Sequence, residues 1–294
     1  MNDTTDWFDV TRVAPGVHQL TEGSGVLPCN AFLVTDAADA APDATDADTA
    51  DALLVDTALG IGDLRVTAEA LAGTVPRVLL THSHWDHIGA AHQFDDVAIH
   101  DRERGADGTV AIDTLSDEFV ERPAQFVADW RTTGESFPDG FDPDAYDVAP
   151  AEGVEAAAPG DVLTVGDREL ELVAVPGHSP GQLAAIDADA GVCFGADVVG
   201  IGGNVYAHFT DCDVEAYRDS VATLIDRRDD GAFDVLCTGH NDPYRGSDLA
   251  VLDTVHDALD TVLDGSGDAT VVETDWGPAR QYQFDGFVVL TNAT

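Results

Sequence analysis

Short apolar runs separated by turn residues characterise the first eighty positions of the chain. Runs rich in Val, Leu and Ile that are bounded by Gly, Pro or Asp are typical of strands, and they predict strands at residues 17–20, 31–35, 53–57 and 76–80. Residues 61–73 instead space their apolar side chains at the period of a helix. We therefore expect the chain to open with strands and to form a helix between the third and the fourth.

The same two periods alternate in the second half of the chain. Helical spacing predicts helices at residues 214–227 and 247–263, and a further one that begins near Ile88. Apolar runs predict strands at residues 162–165, 170–175, 183–186, 192–194, 234–237, 270–273 and 281–290. Strands that alternate with helices indicate an α/β protein. Because no internal repeat or linker is visible, we expect a single domain over residues 1–294.

Two segments depart from this alternation. Residues 36–51 consist almost entirely of Asp, Ala and Thr, and they cannot bury enough apolar surface to order themselves, so we expect an exposed acidic loop. Residues 101–160 are polar, contain five prolines and show a helical pattern only around residues 117–130. We interpret residues 101–160 as an insertion that either covers a site or forms plain surface.

The charge balance is unusual, although the share of apolar residues is that of an ordinary globular protein. Apolar residues make up 44% of the chain, as in globular proteins. Fifty-six acidic residues face 13 basic ones, all of them arginine, which gives a formal net charge of −43. Such a surface repels itself unless counterions screen it, and it resembles the surfaces of proteins from salt-loving microbes. Because the acids are spread along the whole chain, we favour solvent adaptation over an acidic face that binds a basic partner.

Neither a membrane span nor a disulfide framework is visible. No apolar run approaches the roughly 18 to 20 residues that cross a bilayer, and the N-terminus lacks the basic and apolar parts of a signal peptide. We therefore expect a cytoplasmic protein without a membrane partner. The four cysteines contain no C-x-x-C pair, and Cys193 and Cys237 lie in apolar runs, where a free thiol packs as a small hydrophobe.

The clearest chemical signal follows directly after the fourth predicted strand. Residues 81–87 read T-H-S-H-W-D-H and so place His82, His84, Asp86 and His87 within six positions. Imidazole nitrogens and carboxylate oxygens are preferred ligands of zinc and similar divalent ions. A histidine-rich surface loop is the ordinary alternative, but the segment follows a buried strand. It therefore predicts a metal site.

Three later strands also end in metal-ligand residue types. His178 follows the strand predicted at residues 170–175, Asp197 follows the one at 192–194, and His240 follows another. Taken singly, each of them could be a structural histidine or a turn aspartate. Sites of α/β proteins form in the loops at the carboxyl ends of strands, so four such strand ends indicate one shared metal site.

With these motifs in this order, the chain resembles the metallo-β-lactamase superfamily. The resemblance rests on T-H-S-H-W-D-H-I-G, P-G-H-S, G-A-D and T-G-H, with L-V-D-T upstream, and it covers about residues 17–240. It implies a four-layer αβ/βα sandwich with two metal ions at one sheet edge. Carried over by position, one ion would bind His82, His84 and His178, the other would bind Asp86, His87 and His240, and Asp197 would bridge them.

Two side chains indicate the branch of this family. Lactamases proper have cysteine at the position of Asp197 or lack a bridging carboxylate, so the chain is more similar to the glyoxalase II, lactonase and nuclease branches. His84 differs from the glutamate of the diiron oxidoreductases. Relatives specific for glutathione thioesters use basic residues and a longer helical C-terminus, whereas this chain has no lysine and only 54 residues after His240. A different thiol or an ordinary ester therefore fits better than glutathione.

The resemblance also implies the chemistry. Zinc is the expected metal, with iron or manganese as alternatives. Two divalent ions close together lower the pKa of a bridging water and supply hydroxide at neutral pH, while they polarise the substrate carbonyl. Asp86 is placed to orient that hydroxide as well as to bind metal.

Other residues near the motifs are candidates for supporting roles. Metal-bound imidazoles usually donate their second N–H to an oxygen, which Asp56, Thr81 and Ser83 could provide. For Asp56, a strand-end cap explains the residue equally well. Two tyrosines and a histidine near the ligand loops are candidates for substrate contact, namely Tyr206, His208 and Tyr244.

Together these features predict a hydrolase of a small-molecule thioester, ester or lactone. A nuclease or phosphodiesterase of the same fold is one alternative, but the insertion typical of the RNA-cleaving branch is absent after the fourth motif. Nucleic acid is therefore not an expected partner. A mononuclear iron dioxygenase acting on persulfides is another alternative, which one iron per chain would distinguish from two metals. The sequence gives no indication of the oligomeric state.

Overall fold

The computed structural model describes residues 7–23, 26–36, 51–137 and 139–293. Most of the acidic loop predicted at residues 36–51 lies outside these described residues. The chain divides into two compact units, Met1–Ala157 with Leu163–Glu169, and Ala158–Val162 with Leu170–Thr294. Each unit is described by itself below, and the single domain over residues 1–294 stays a prediction.

The first unit contains a seven-stranded sheet whose neighbours follow each other in chain order. Its strands are β1 (Asp9–Ala14), β2 (Val17–Glu22), β3 (Cys29–Thr35), β4 (Ala52–Val55), β5 (Arg77–Leu79), β6 (Val97–His100) and β7 (Glu155–Ala157). The pairs from β1 to β4 are antiparallel, and those from β4 to β7 are parallel. The carboxyl ends of β4, β5 and β6 therefore meet at one edge of the sheet.

Two α-helices belong to the first unit, α1 (Leu64–Ala72) and α2 (Arg122–Thr133). The prediction for α1 began at residue 61, but Asp63 caps the helix by accepting a hydrogen bond from Val66 N at 3.0 Å. The helical pattern around residues 117–130 corresponds to a 3-10 turn followed by α2, which buries Phe126, Val127 and Trp130.

The helix predicted to begin near Ile88 is wrong. Only a 3-10 turn forms there, at Ala91–Gln93. Gly89 N donates to Ala58 O at 2.9 Å, and the N–H groups of Gln93 and Phe94 donate to the carbonyl oxygens three residues back. A Cβ on Gly89 would lie 2.1 Å from the carbonyl carbon of Leu59, which shows how closely the two backbones pack. Phe94 is already extended ahead of β6, so the segment contains a single 3-10 turn in place of the expected helix.

The second unit contains a four-stranded sheet and most of a six-stranded one. The six-stranded sheet has the order β14-β13-β11-β10-β9-β8 and the four-stranded one the order β12-β17-β16-β15. Their strands are β8 (Val162–Val165), β9 (Arg168–Ala174), β10 (Leu183–Asp187), β11 (Val192–Phe194), β12 (Val205–Ala207), β13 (Val235–Cys237), β14 (Tyr244–Arg245), β15 (Ala269–Thr274), β16 (Gly277–Gln283) and β17 (Val288–Asn292). Because β11 and β13 are parallel neighbours, the residues that follow them share a sheet edge.

The helices of the second unit are α3 (Val214–Asp229) and α4 (Val251–Leu263). They pack with strand side chains into a buried core that includes Tyr217, Leu224 and Leu252. The helix predicted from residue 247 starts later, because Gly246–Ala250 forms a 3-10 turn. The strand predicted at residues 281–290 is two strands, β16 and β17, joined by a turn.

These elements confirm the α/β class. Among the described residues, no helix combines the length and the apolar character that crossing a membrane requires.

Candidate metal centre

In the first unit, the segment after β5 gathers three imidazoles in a buried cluster. The ring centroid of His82 lies 4.5 Å from that of His84 and 4.1 Å from that of His87. All three side chains are buried. Asp86 is half-buried, and its Oδ2 lies 4.0 Å from Sγ of buried Cys29, a residue to which the sequence assigned no role. Buried imidazoles grouped in this way are the nitrogen donors that a divalent ion requires.

Asp56 holds this segment at both ends. Its carboxylate accepts hydrogen bonds from Thr81 N at 2.7 Å and Thr81 Oγ1 at 2.8 Å, and its Oδ2 lies 2.9 Å from His87 Nδ1. Its backbone has a φ of 62°, which non-glycine residues adopt mainly where the structure requires it. With Nδ1 held by the carboxylate, the nitrogen of His87 that is available to a metal is Nε2. Thr81 Oγ1 also lies 3.0 Å from Nδ1 of His82.

Glu103 holds the middle of the segment, and sequence reasoning missed it. Its Oε2 accepts hydrogen bonds from Ser83 N at 3.0 Å and from Ser83 Oγ at 2.7 Å. Glu103 is completely buried and lies in the 3-10 turn that follows β6. Since β6 is the parallel neighbour of β5, the strand-end rule would have found this residue had β6 been predicted.

The insertion at residues 101–160 packs against the same segment. The ring centroid of Phe119 lies 4.6 Å from that of His84, and the centroid of Phe126 lies 5.9 Å from that of Trp85. Phe119 thus packs against one imidazole of the cluster, while Phe126 packs against the tryptophan of the same segment. Whether residues 101–160 cover a site or form plain surface stays a prediction.

In the second unit, Asp197 lies close to two histidines that are also ligand candidates. Asp197 Oδ2 is 3.1 Å from His240 Nε2 and 3.5 Å from His178 Nε2, and all three side chains are buried. Ligand atoms that lie 2.0–2.1 Å from a tetrahedral ion are separated from one another by about 3.3 Å. The donors therefore fit a metal, and a single carboxylate oxygen lies close to two imidazole nitrogens.

The loop that carries His178 is fixed by its neighbours. His178 Nδ1 lies 2.9 Å from Tyr206 O, so Nε2 is again the nitrogen available to a metal. The preceding Gly177 has a φ of 133°, and a Cβ there would lie 2.3 Å from Cα of Tyr217. Tyr217 OH donates to Asp197 O at 2.5 Å, and burial raises the pKa of this phenol well above its usual value. Tyr217 thus supports both loops, a role for which the sequence gives no signal.

The three candidates for substrate contact have different surroundings. His208 is 7% exposed, neither of its ring nitrogens has a hydrogen-bond partner among the described residues, and burial lowers its pKa to about 4. Half-buried Tyr206 lies beside it, with the ring centroids 6.1 Å apart. Tyr244 lies on β14 and packs against the core of the second unit. Of the three residues, His208 is therefore the one for which a hydrogen bond with a bound ligand would be most favourable.

Comparison with known proteins places the chain in a family. The model of the metallo-beta-lactamase superfamily matches residues 24–240, and the chain belongs to this superfamily. Acyl-coenzyme A thioesterase MBLAC2 of Gallus gallus is 31% identical over 205 residues, which are 64% of this chain and 68% of that protein. The Homo sapiens protein of the same name is 30% identical over 209 residues, again 64% and 68%.

Solved structures show the same fold. A metallo-beta-lactamase family protein from Thermus thermophilus superimposes with a TM-score of 0.55 at 23% identity, covering 85% of this chain and 81% of that chain. The chain therefore has the metallo-β-lactamase fold, as the sequence motifs predicted. The superfamily match and the thioesterase relatives indicate that it is a hydrolase, which was also predicted.

Proposed function

We propose that this protein hydrolyses a small thioester at a centre of two divalent metal ions. The observation that carries the thioester assignment is the 31% identity, over 205 residues, to a protein named as an acyl-coenzyme A thioesterase. The buried histidine and aspartate clusters of the two units support the metal assignment, because they supply the donor types of such centres. Ester and lactone hydrolysis, which the sequence left open, are less well supported.

The ligand assignment follows the family pattern. Two ions bound here, zinc with iron or manganese as alternatives, would lower the pKa of water and polarise the thioester carbonyl. The proximity of Asp197 Oδ2 to two imidazole nitrogens supports its assignment as the bridge. The proposed ligands are His82, His84 and His178 for one ion, Asp86, His87 and His240 for the other, and Asp197 for both.

The chain's own residues orient the reacting groups. Asp86 would align the attacking oxygen as well as bind metal. Asp56 and Thr81 hold imidazoles through Nδ1, which fixes the direction of the coordinating nitrogens, while Ser83 fixes the backbone between two ligands.

Substrate contact would involve β12 and the residue that follows it. Because burial keeps His208 neutral at neutral pH, it can accept a hydrogen bond through one ring nitrogen and donate one through the other. We assign it to a polar group of the acyl or thiol part of the substrate. Tyr206 lies beside it and belongs to the same proposed contact, and Tyr244 is a more remote member of it.

Thiol release from a panel of acyl-coenzyme A substrates, in concentrated KCl with added zinc, tests this function. We expect release from thioesters and none of comparable rate from lactones or bis(p-nitrophenyl) phosphate. His240→Ala should abolish release. His256→Ala removes a histidine on α4, which is outside the ligand set, and should leave the rate unchanged. Faster cleavage of the phosphodiester than of every thioester would contradict the proposal.

A further inference from the structure

A small pocket in the second unit contains one positive charge and no negative one. Its volume is about 260 Å³, and it lies between the four-stranded sheet and the start of α3. Thr291 of β17 forms its floor, and Thr291 is the register partner of both Ala207 and Arg280. Tyr282 lies two residues beyond Arg280 on the same face, and Cys212 closes the opposite side. We call this cavity the Arg280 pocket.

The absence of carboxylates from this lining is unusual for the chain. Acids outnumber bases 56 to 13, yet no lining residue of the Arg280 pocket is acidic. A larger pocket, in the first unit, is lined by Asp63, Glu69 and Asp95. A guanidinium in a cavity without acidic neighbours attracts anions, because no carboxylate in the lining neutralises it.

The guanidinium of Arg280 also has N–H groups that make no hydrogen bond to the described residues. Its Nε donates to Ala293 O at 3.3 Å, and its two terminal nitrogens have no hydrogen bond to any residue that the structure describes. By contrast, other arginines of the described residues form ion pairs with Asp or Glu, among them Arg77, Arg104, Arg131, Arg218, Arg227 and Arg228. Two parallel N–H donors match the oxygens of a phosphate group.

The Arg280 pocket adjoins the loops that hold a proposed metal ligand. Cys212 Sγ lies 3.1 Å from His178 O, and Ala207 directly follows Tyr206, whose carbonyl oxygen lies 2.9 Å from His178 Nδ1. The same short segment therefore lines the pocket on one side and positions His178 on the other. An anionic group in this pocket would lie close to the reaction centre proposed above.

From this arrangement we infer that the Arg280 pocket binds a phosphate group of the thiol carrier to which the acyl chain is attached. The inference rests on the proposed thioesterase function and specifies its substrate as a phosphorylated thiol, the class to which coenzyme A belongs. Thr291 and Tyr282 also line the pocket, and their hydroxyl groups are neutral donors that complement the charged guanidinium.

Two thioesters that carry the same acyl group on different thiols distinguish contacts with the thiol carrier from contacts at the scissile bond. An acyl-coenzyme A carries phosphates, whereas the same acyl group on N-acetylcysteamine carries none. In Arg280→Gln, the KM for acyl-coenzyme A should rise about five- to tenfold with kcat unchanged, because a charge-assisted contact remote from the reacting atoms is lost. Both constants for the N-acetylcysteamine thioester should stay within about twofold. If Arg280→Gln changes the KM for the two substrates by the same factor, or changes it for neither, the inference is overturned.

Arg12→Gln is the matched control, since Arg12 is also exposed and also donates through Nε to a backbone carbonyl. It removes the same charge and should leave both KM values unchanged. If Arg12→Gln raises the KM for acyl-coenzyme A as much as Arg280→Gln does, the change in KM follows from net charge alone and the inference is overturned.

A binding measurement distinguishes failure of the pocket from failure of the function. Desulfo-coenzyme A has the phosphates but no sulfur, so it needs neither turnover nor a thiol–metal bond. It should bind the wild type about five- to tenfold more tightly than Arg280→Gln. If this holds while no thioester is cleaved, the pocket assignment stands and the thioesterase proposal fails. If thioesters are cleaved but binding is the same in both proteins, the pocket assignment fails alone.

Discussion

Glu103 Oε2 accepts both the backbone N–H and the hydroxyl of Ser83, at 3.0 and 2.7 Å, across 20 positions of the chain. Ser83 is the residue between His82 and His84, so its backbone direction determines where both imidazoles point. A completely buried carboxylate with two hydrogen bonds to one residue is a strong restraint on that residue. Glu103 is therefore a positioning residue for the candidate metal centre.

Glu103→Ala should weaken metal binding without removing a ligand. We expect the dissociation constant for zinc, measured by competition with a chromophoric chelator, to rise about 10- to 100-fold, as is typical when the partners of metal ligands are lost. Glu103→Gln keeps an acceptor oxygen and should recover most of the affinity. Glu69→Ala, on the exposed face of α1, is the control. Wild-type affinity in Glu103→Ala would show that Ser83 is held by other contacts.

His208 should make the stability of the fold depend on pH. Its pKa is about 4 in the folded protein, lowered from 6.5 mainly by burial. The unfolded chain therefore binds more protons between these values, and the free energy of unfolding falls as the pH drops from 6.5 toward 4. The loss reaches at most about 3 kcal/mol. Urea unfolding at several pH values should show a smaller loss in His208→Gln, and identical pH dependence in both proteins would contradict the assignment.

The surface charge should make folding depend on salt. With a formal net charge of −43, self-repulsion is screened only when the Debye length falls to about 3 Å, near 1 M salt. Bound metals neutralise few of these charges. We therefore predict that the melting temperature rises with KCl concentration at constant metal. A melting temperature that is flat or falls with added KCl would refute solvent adaptation and direct the search to basic partner proteins.

The proposed ligand residues could be selected from the sequence because each follows a strand with a clear apolar pattern. The strand at Val192–Phe194 has the predicted bounds, and Asp197 comes shortly after it. Glu103 was missed because β6 is only four residues long and alternates buried with half-buried positions. The helix expected near Ile88 does not form, because the segment makes a single 3-10 turn and Phe94 is already extended ahead of β6. The hydrogen bonds from Ser83 to Glu103 join residues 20 positions apart and leave no periodic signal, so this pairing could not be predicted from local patterns.

Asp197→Ala should abolish thioester hydrolysis while the fold persists. Asp197 Oδ2 lies close to His178 Nε2 and His240 Nε2, so removal of the carboxylate takes away the proposed bridge. We expect a loss of at least about a hundredfold in kcat, because the attacking oxygen loses its position. Asp219→Ala, on the surface of α3, should keep full activity, and thermal melts of both variants should stay near the wild-type transition. Asp197→Ala with most of its activity would show that Asp197 does not bridge.

Elemental analysis of the wild-type protein, purified without chelator, tests the central claim of a two-metal centre most directly. The seven proposed ligands predict about two equivalents of divalent metal per chain, mainly zinc, with iron or manganese as substitutes. A single iron per chain would instead support the mononuclear dioxygenase alternative. A metal content below about half an equivalent would contradict the two-metal centre altogether.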